Sequence, residues 1–196
     1  MKGEILKLLK ESDGYLSGQE LCERFGVSRT AVWKVINQLK EEGYEIEAVR
    51  NKGYILKSVS DVLSKEELES SLKTRWAGKE IHYFDRTDST NIQARLAGEA
   101  GASHGTLAVA EIQDGGRGRR GRSWISPAGV GVWMSLLLRP EISPISASTL
   151  TLVMALAAQK GIKEATGIES QIKWPNDLVL NKKKICGILT EMGTEF

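Results

Sequence analysis

The sequence predicts an α+β protein in two parts, an N-terminal winged helix-turn-helix followed by a mixed-sheet domain. Three observations predict it. Apolar residues recur at helical spacing in capped segments up to about residue 43 and then give way to two short strand-like runs. Beyond residue 80, strand patterns and helical patterns are mixed along the chain. The length of 196 residues suits one full domain plus a small one. Hydrophobic residues make up 41% of the chain beside 20 glycines, which excludes wholesale disorder. Lys and Arg number 27 against 25 Asp and Glu, a net charge of +2, so any basic function must be local.

In the first part, Ile5, Leu6, Leu8 and Leu9 mark helix one, which ends near Ser12-Asp13-Gly14. Ser17-Gly18-Gln19-Glu20 has the capping-box pattern that opens helix two, and Gly26 supplies the turn after Phe25. Ser28 then caps a third helix whose Val32, Val35, Ile36 and Leu39 form an apolar stripe, with Gly43 as its stop. Two helices joined by a tight turn form a helix-turn-helix, whose second helix is built to enter a major groove. Ser28, Arg29, Thr30, Trp33, Lys34 and Asn37 project from the free face as candidate DNA contacts. Tyr44–Val49 and Tyr54–Leu56 read as two strands around a loop that carries Arg50 and Lys52 on a wing. The bland alternative is a three-helix protein-interaction module, since residues 1–60 carry nearly balanced charge.

A short, Ser-rich stretch over 57–64 suits a boundary. The expected division is a DNA-binding domain over 1–60, a linker over 61–66 and a second domain over 67–196. Ser64 opens a further capped helix. Strands follow near Ile81–Phe84, Thr106–Ile112, Val130–Leu138, Gln171–Trp174, Leu178–Leu180 and Ile185–Glu191, with helices over Ser89–Ala100 and Ser148–Thr166. This pattern implies one sheet with helices on one face. The longest apolar stretches, Gly129–Leu138 and Leu150–Ala158, are each about half of the ~18 residues that a spanning helix needs. No membrane partner is expected, and with no signal-peptide pattern at the N-terminus the expected location is cytoplasmic. Cys22 and Cys186 lack neighbours at metal-ligand spacing and are expected to be free, buried thiols.

The most unusual segment runs from Gln113 to Trp124, with four Gly, four Arg and one Asp. Glycines let a backbone approach a ligand, and guanidinium forks match phosphate and carboxylate oxygens. An anion belongs here, and the loop is expected to be mobile until one arrives. An RGG-like nucleic-acid segment is the alternative. A second constellation, Lys173-Trp174-Pro175-Asn176-Asp177, bends sharply at Pro175 and precedes Lys182-Lys183-Lys184 and an apolar strand. Here Asp177 can hold a cation, and Lys184 is the lysine drawn inward. On spacing alone an ordinary charged hairpin fits equally well.

The segment from Ser28 to Leu56, with Lys52-Gly53-Tyr54 in the wing, resembles the N-terminal domain of bacterial biotin operon repressors. The second part resembles the catalytic domain of biotin protein ligases, a mixed-sheet, class II synthetase-like domain. The matching residues are Asp88-Ser89-Thr90-Asn91, Gln113, Gly116 to Arg122, Trp124, Lys173 to Asp177, and Lys184 before Gly187-Ile188-Leu189. Ser123 stands where many members have Lys. More strands and a small β-barrel follow in the family, so the chain is expected to be truncated at its C-terminus, after Phe196.

The resemblance implies ATP-dependent activation of biotin to biotinyl-5′-AMP and transfer to a lysine of biotin carboxyl carrier protein. It also implies repression at operator DNA of biotin genes by a ligand-dependent homodimer. Implied ligands are biotin, ATP and Mg²⁺. Ser89, Thr90, Asn91 and Gln113 are assigned to biotin. Gly116, Arg117, Gly118 and Arg119 close over carboxyl and phosphate, Arg122 reaches the pyrophosphate side, and Trp124 lies against adenine. Lys184, Arg119 and Asp177 form the catalytic set, with Asp177 holding Mg²⁺ or orienting Lys184. The competing functions are a biotin-sensing regulator without ligase activity and a lipoate-type acyltransferase.

Overall fold

A computed structural model describes residues 1–58 and 63–193. Part of the linker expected at 61–66, namely residues 61 and 62, and the last three residues of the expected second domain lie outside the described residues.

Helices α1 (Lys2–Glu11), α2 (Gly18–Phe25) and α3 (Arg29–Glu41) are followed by a hairpin of β1 (Glu45–Val49) and β2 (Gly53–Ser58). The stripes predicted from the 3.6-residue period meet in one core: Ile5, Leu6 and Leu9 from α1, Leu21 from α2, and Val32, Val35, Ile36 and Leu39 from α3. Ser17 Oγ accepts from Gln19 N and Ser28 Oγ from Ala31 N, so both serine caps form, while the reciprocal Glu20 arm of the capping box does not appear among the described residues. Gly26 ends α2 in the left-handed region, at φ 63°. The wing is laced to the α1–α2 loop by reciprocal bonds between Leu16 and Tyr54, both 2.8 Å. That approach needs Gly53, because a Cβ there would lie 1.9 Å from the Leu16 carbonyl oxygen.

Helix α4 (Lys65–Ser71), capped by Ser64, begins two residues before the expected domain start and faces two ways. Leu68 and Leu72 pack on the apolar cluster of Ile81, Leu107 and Val109 in the second part. Its polar side meets the first part: Glu67 pairs with Lys10 and accepts from Tyr44 Oη at 2.8 Å, and Glu66 lies 3.0 Å from Lys2.

The second part holds two three-stranded sheets rather than one. In the first, β3 (Ile81–Thr87) runs parallel to β4 (Leu107–Gln113), which runs antiparallel to β5 (Trp133–Leu136). In the second, β6 (Gln171–Lys173), β7 (Asp177–Leu180) and β8 (Lys183–Gly187) form an antiparallel meander. Helices are not confined to one face. Leu107 and Val109 point toward α4, so the fully buried Ala108 and Ala110 point to the other face, where α5 (Thr90–Glu99) packs with its small residues Ala94, Ala97 and Gly98. The apolar run Leu107–Ala110, buried throughout, is the signature of a strand covered on both sides, and it ends at Glu111. Strand β5 is shorter than expected, since Val130 and Val132 stand exposed.

Helix α6 (Thr149–Thr166) lies on β6 and β7, with Ala155 buried and Gln159 Nε2 donating to the Ser170 carbonyl. With the turn before it, Pro144–Thr166 is long and apolar enough, by length and composition, to cross a membrane, at mean hydropathy 1.3. The uninterrupted apolar stretches read from sequence understate it, because Ser, Thr and Gln punctuate the helix without lowering its average far.

Gly53→Ala is predicted to lower the denaturant midpoint by more than Gly26→Ala. At Gly26 nothing lies within 4 Å of a new Cβ, so only the left-handed strain of ~1–2 kcal/mol applies. Equal shifts would contradict the wing-to-loop lacing.

Candidate functional site

The glycine- and arginine-rich segment leaves the end of β4 and returns on itself. Gly118 N donates to the Arg122 carbonyl at 2.7 Å and Trp124 N to the Gly116 carbonyl at 2.8 Å. Bridges pair Arg117 with Ser123 and Gln113 with Ser126. The sequence predicts a loop without structure of its own; the backbone instead closes as a twisted hairpin with Arg120 at its tip in the left-handed region, at φ 60°. Gly116 is required at the crossing, since a Cβ would meet the Trp124 carbonyl oxygen at 2.3 Å. An open cleft of about 550 Å³ runs along this segment, lined by Gln113, Gly116, Arg117, Arg122, Trp124 and Ser126 among others.

At the inner end of the segment, neutral polar groups gather at the start of α5. Asp88 Oδ1 accepts from Ser89 N at 2.6 Å, from Gln93 Nε2 and from Thr87 Oγ1. These bonds, the one from Gln93 first, hold the Asp88 carboxyl below the usual carboxylate range. Asp88 thereby fixes the entry to α5, whose buried N-cap residue Ser89 makes no side-chain cap bond. Gln113 Oε1 accepts from Thr90 N at 2.8 Å, and Gln113 Nε2 donates to Ser126 Oγ at 2.9 Å. Thr90 Oγ1 lies 2.8 Å from Ser135 Oγ on β5, and Ser135 donates to Asn91 Oδ1. Asn91 Nδ2 reaches the Leu189 carbonyl and Glu191 Oε2, and Glu191 Oε1 lies 3.5 Å from Arg117 Nη1.

At the cationic end, Lys184 on β8 lies 2.7 Å from Asp177 on β7 and 4.7 Å from the centre of the Trp124 ring. The ammonium is held between a carboxylate and an aromatic face. Gly187 leaves it room, because a Cβ there would sit 2.8 Å from Lys184 Nζ. Asp177 Oδ1 is buried and accepts no further hydrogen bond among the described residues. Arg119 Nη1 donates to Asn176 Oδ1 at 3.2 Å, and Asn176 is tied to Ile188 by Nδ2 to its carbonyl and by its own carbonyl to Ile188 N. Burial pushes the Cys186 thiol up, with the Lys184 charge opposing. Cys22 and Cys186 are both free and half-buried.

Of the expected site residues, Gln113, Gly116, Arg117, Arg122 and Trp124 line the cleft. Thr90 is linked to it through Gln113, Asn91 through Glu191, the partner of Arg117, and Lys184 and Asp177 through the Trp124 ring. Arg119 is bonded to Asn176, while Ser89 is buried beside Thr90 and does not line the cleft. Arg122 lines it but stays exposed, with no ion pair among the described residues. Ser126, Ser135, Asn176 and Glu191 join this network although the sequence reading gives none of them a site role. Ser135 had a readable signal, as the one hydroxyl within an otherwise apolar strand; Glu191 had none. No three His, Cys, Asp or Glu side chains converge among the described residues.

The second candidate face lies on the first part. Thr30, Trp33 and Lys34 are exposed on α3 and Asn37 is half-buried beside them. Ser28 and Arg29 are engaged within the protein, Ser28 as a cap and Arg29 with Gln19 Oε1 at 3.0 Å. Arg50 and Lys52 are exposed on the wing, with Lys52 Nζ 5.5 Å from the Tyr15 ring.

The Biotin/lipoate A/B protein ligase family matches residues 83–194, and an HTH domain matches residues 3–55. The chain is 46% identical over 196 residues to the Bifunctional ligase/repressor BirA of Bacillus subtilis, covering 100% of this chain and 60% of that protein. It is 33% identical over 189 residues to the protein of the same name from Escherichia coli, covering 96% and 57%. Among solved structures, biotin protein ligase from Aquifex aeolicus in complex with biotin and ATP superimposes with a TM-score of 0.51 at 37% identity, over 58% of this chain and 47% of that one. The Leishmania major enzyme in complex with biotinyl-5-AMP gives a TM-score of 0.51 at 28% identity, over 59% and 53%. The chain thus spans about 60% of the length of the curated relatives it matches.

The burial of Cys186 makes a prediction. At pH 8 its alkylation should be slower in the folded chain than in the denatured chain, and should accelerate above the ordinary thiol range. Mass mapping of iodoacetamide-labelled peptides reads this; equal rates would contradict the packing of β8.

Proposed function

The chain belongs to the biotin/lipoate A/B protein ligase family, and from that premise we propose that it activates biotin with ATP and passes it to a lysine of biotin carboxyl carrier protein. We propose equally that residues 1–58 read operator DNA of biotin genes, that α4 onward forms the ligase domain, and that the adenylate promotes pairing of two chains as corepressor. A cytoplasmic location goes with this reading.

One observation carries it: Gln113 and Trp124 line the same cleft, and behind them stand a neutral hydrogen-bonding group, Thr90 bonded to Gln113, and a cationic one, Lys184 held against Trp124. Adenylation needs that juxtaposition. A carboxylate oxygen of biotin attacks the α-phosphorus of ATP, the bond to the bridging oxygen breaks, and pyrophosphate leaves. Two anions must be brought together and the charge growing on the phosphate neutralised. Ser89, Thr90, Asn91 and Gln113 supply neutral donors and acceptors for the ureido ring. Arg117 and Arg119, with the backbone of Gly116 and Gly118, close over carboxylate and phosphate, Arg122 meets the leaving pyrophosphate, and Trp124 stacks on adenine. In transfer, the carrier amine attacks the acyl carbon, AMP leaves and the amine loses a proton.

The described residues do not fit a protein-built Mg²⁺ site, since Asp177 is committed to Lys184 and no acidic cluster stands near it. Asp177 is therefore assigned to orienting Lys184, and Mg²⁺, which keeps water and phosphate ligands, would enter with the nucleotide.

Incubation with ATP, Mg²⁺ and either biotin or lipoate, followed by mass analysis, tests the reading. Biotinyl-5′-AMP and pyrophosphate are expected; lipoyl-AMP alone would favour the lipoate reading, and biotin binding without pyrophosphate release the sensor reading. Lys184→Ala should cut adenylate formation by about 10²–10³ while leaving biotin binding intact. An unchanged rate would contradict its role.

On the reader face, Lys34→Ala should weaken operator binding and flatten its salt dependence, as measured by titration at several salt concentrations. Unaltered binding by both Arg29→Ala and Lys34→Ala would reject α3 as the recognition helix.

A further inference from the structure

The hydrogen-bond directions around Ser135 can be deduced from its neighbours. The Leu189 carbonyl and the Glu191 carboxylate can only accept, so the Asn91 amide must turn Nδ2 toward them and Oδ1 toward Ser135. Oδ1 in turn can only accept, so the single Ser135 hydroxyl proton goes to it. The Ser135 oxygen then faces Thr90 Oγ1, 2.8 Å away, with lone pairs alone, and must accept from it. The other acceptor within reach of the Thr90 proton is Gln113 Oε1, at 3.1 Å. The shorter contact, to an oxygen with no proton of its own to offer, takes it, so the Thr90 proton is consumed at Ser135 inside the protein. Gln113 Nε2 spends one proton on Ser126 and keeps one.

We propose that Ser135 is a specificity-determining positioning residue: by fixing Asn91 and taking the Thr90 proton, it leaves Thr90 able only to accept from a ligand while Gln113 donates. The fitting partner is a cyclic urea, which offers an N–H to Thr90 and a carbonyl to Gln113. This rests on the biotin reading above, and adds that ring discrimination is set from β5, by a residue that need not touch the ligand. A ring with oxygen in place of nitrogen presents lone pairs to lone pairs at Thr90 and is refused. Without Ser135, the Thr90 proton is left with the longer contact to Gln113 Oε1 and can be shared with a ligand acceptor, and the refusal weakens.

The test is calorimetric titration of the full chain with biotin and with an analogue whose two ureido N–H groups are replaced by oxygen. The parent should prefer biotin by about 100-fold or more, as a site that hydrogen-bonds an N–H rejects the analogue lacking it. Ser135→Ala should lose about tenfold in biotin affinity and shrink the preference by a similar factor. Ser135→Thr, which restores the hydroxyl, should recover both. The biotin KM of adenylate formation should rise for Ser135→Ala with kcat within about twofold, because Lys184 is untouched. Parental affinity and preference in Ser135→Ala would overturn the proposal while leaving the ligase reading intact, as would a loss that Ser135→Thr does not recover. A parent chain that binds no biotin would overturn the ligase reading and the proposal together.

Discussion

The site depends on one contact across two sheets: the Lys184 ammonium, on the second sheet, lodged between Asp177 of its own sheet and Trp124 of the hairpin that leaves the first. The sheets share no strand pairing. They are joined near the cleft by this contact, by Arg119 on Asn176 and by Asn91 on Leu189. The Lys184–Asp177 pair is partly exposed, at 37% and 21% of the side-chain surfaces, so screening leaves it a modest stabiliser. Its consequence is positional. On the proposed reading, an ammonium fixed over an aromatic ring meets a phosphate without reorganising at the moment of reaction.

Helix α4 applies the same economy between the two parts of the chain. Its leucines complete the apolar cluster under β3 and β4, and its glutamates meet Lys2, Lys10 and Tyr44 on the first part. One seven-residue helix thus serves an apolar core on one side and a polar seam on the other. The seam is charge-paired rather than greasy, as interfaces between domains that move relative to one another tend to be.

The helical half was the most legible, because Ser17, Ser28, Gly26 and Gly43 punctuate a strict apolar period and the punctuation alone bounds the helices. The second part was legible as strands and helices but not as two sheets, since pairing is a long-range choice that alternation does not encode. The charged loop announced its chemistry through composition. Its closed shape is not legible there, because it comes from backbone bonds, such as Gly118 to Arg122, and from the close approach of Gly116 to Trp124, neither of which composition encodes. Ser135 and Glu191 act through hydrogen-bond direction, and direction exists only once the fold has brought Thr90, Asn91 and Arg117 to them.

As proposed above, Asp177 acts through Lys184 and has no separate hold on the ligand. A double-mutant cycle on binding of a non-reactive biotinyl-adenylate analogue measures this directly, with Asp177→Asn, Lys184→Met and the combined variant. Each single change should weaken binding, and the pair should weaken it no more than Lys184→Met alone. Losses that add would contradict the account, because they would give Asp177 an independent contact, such as a metal ion carried in with the phosphates.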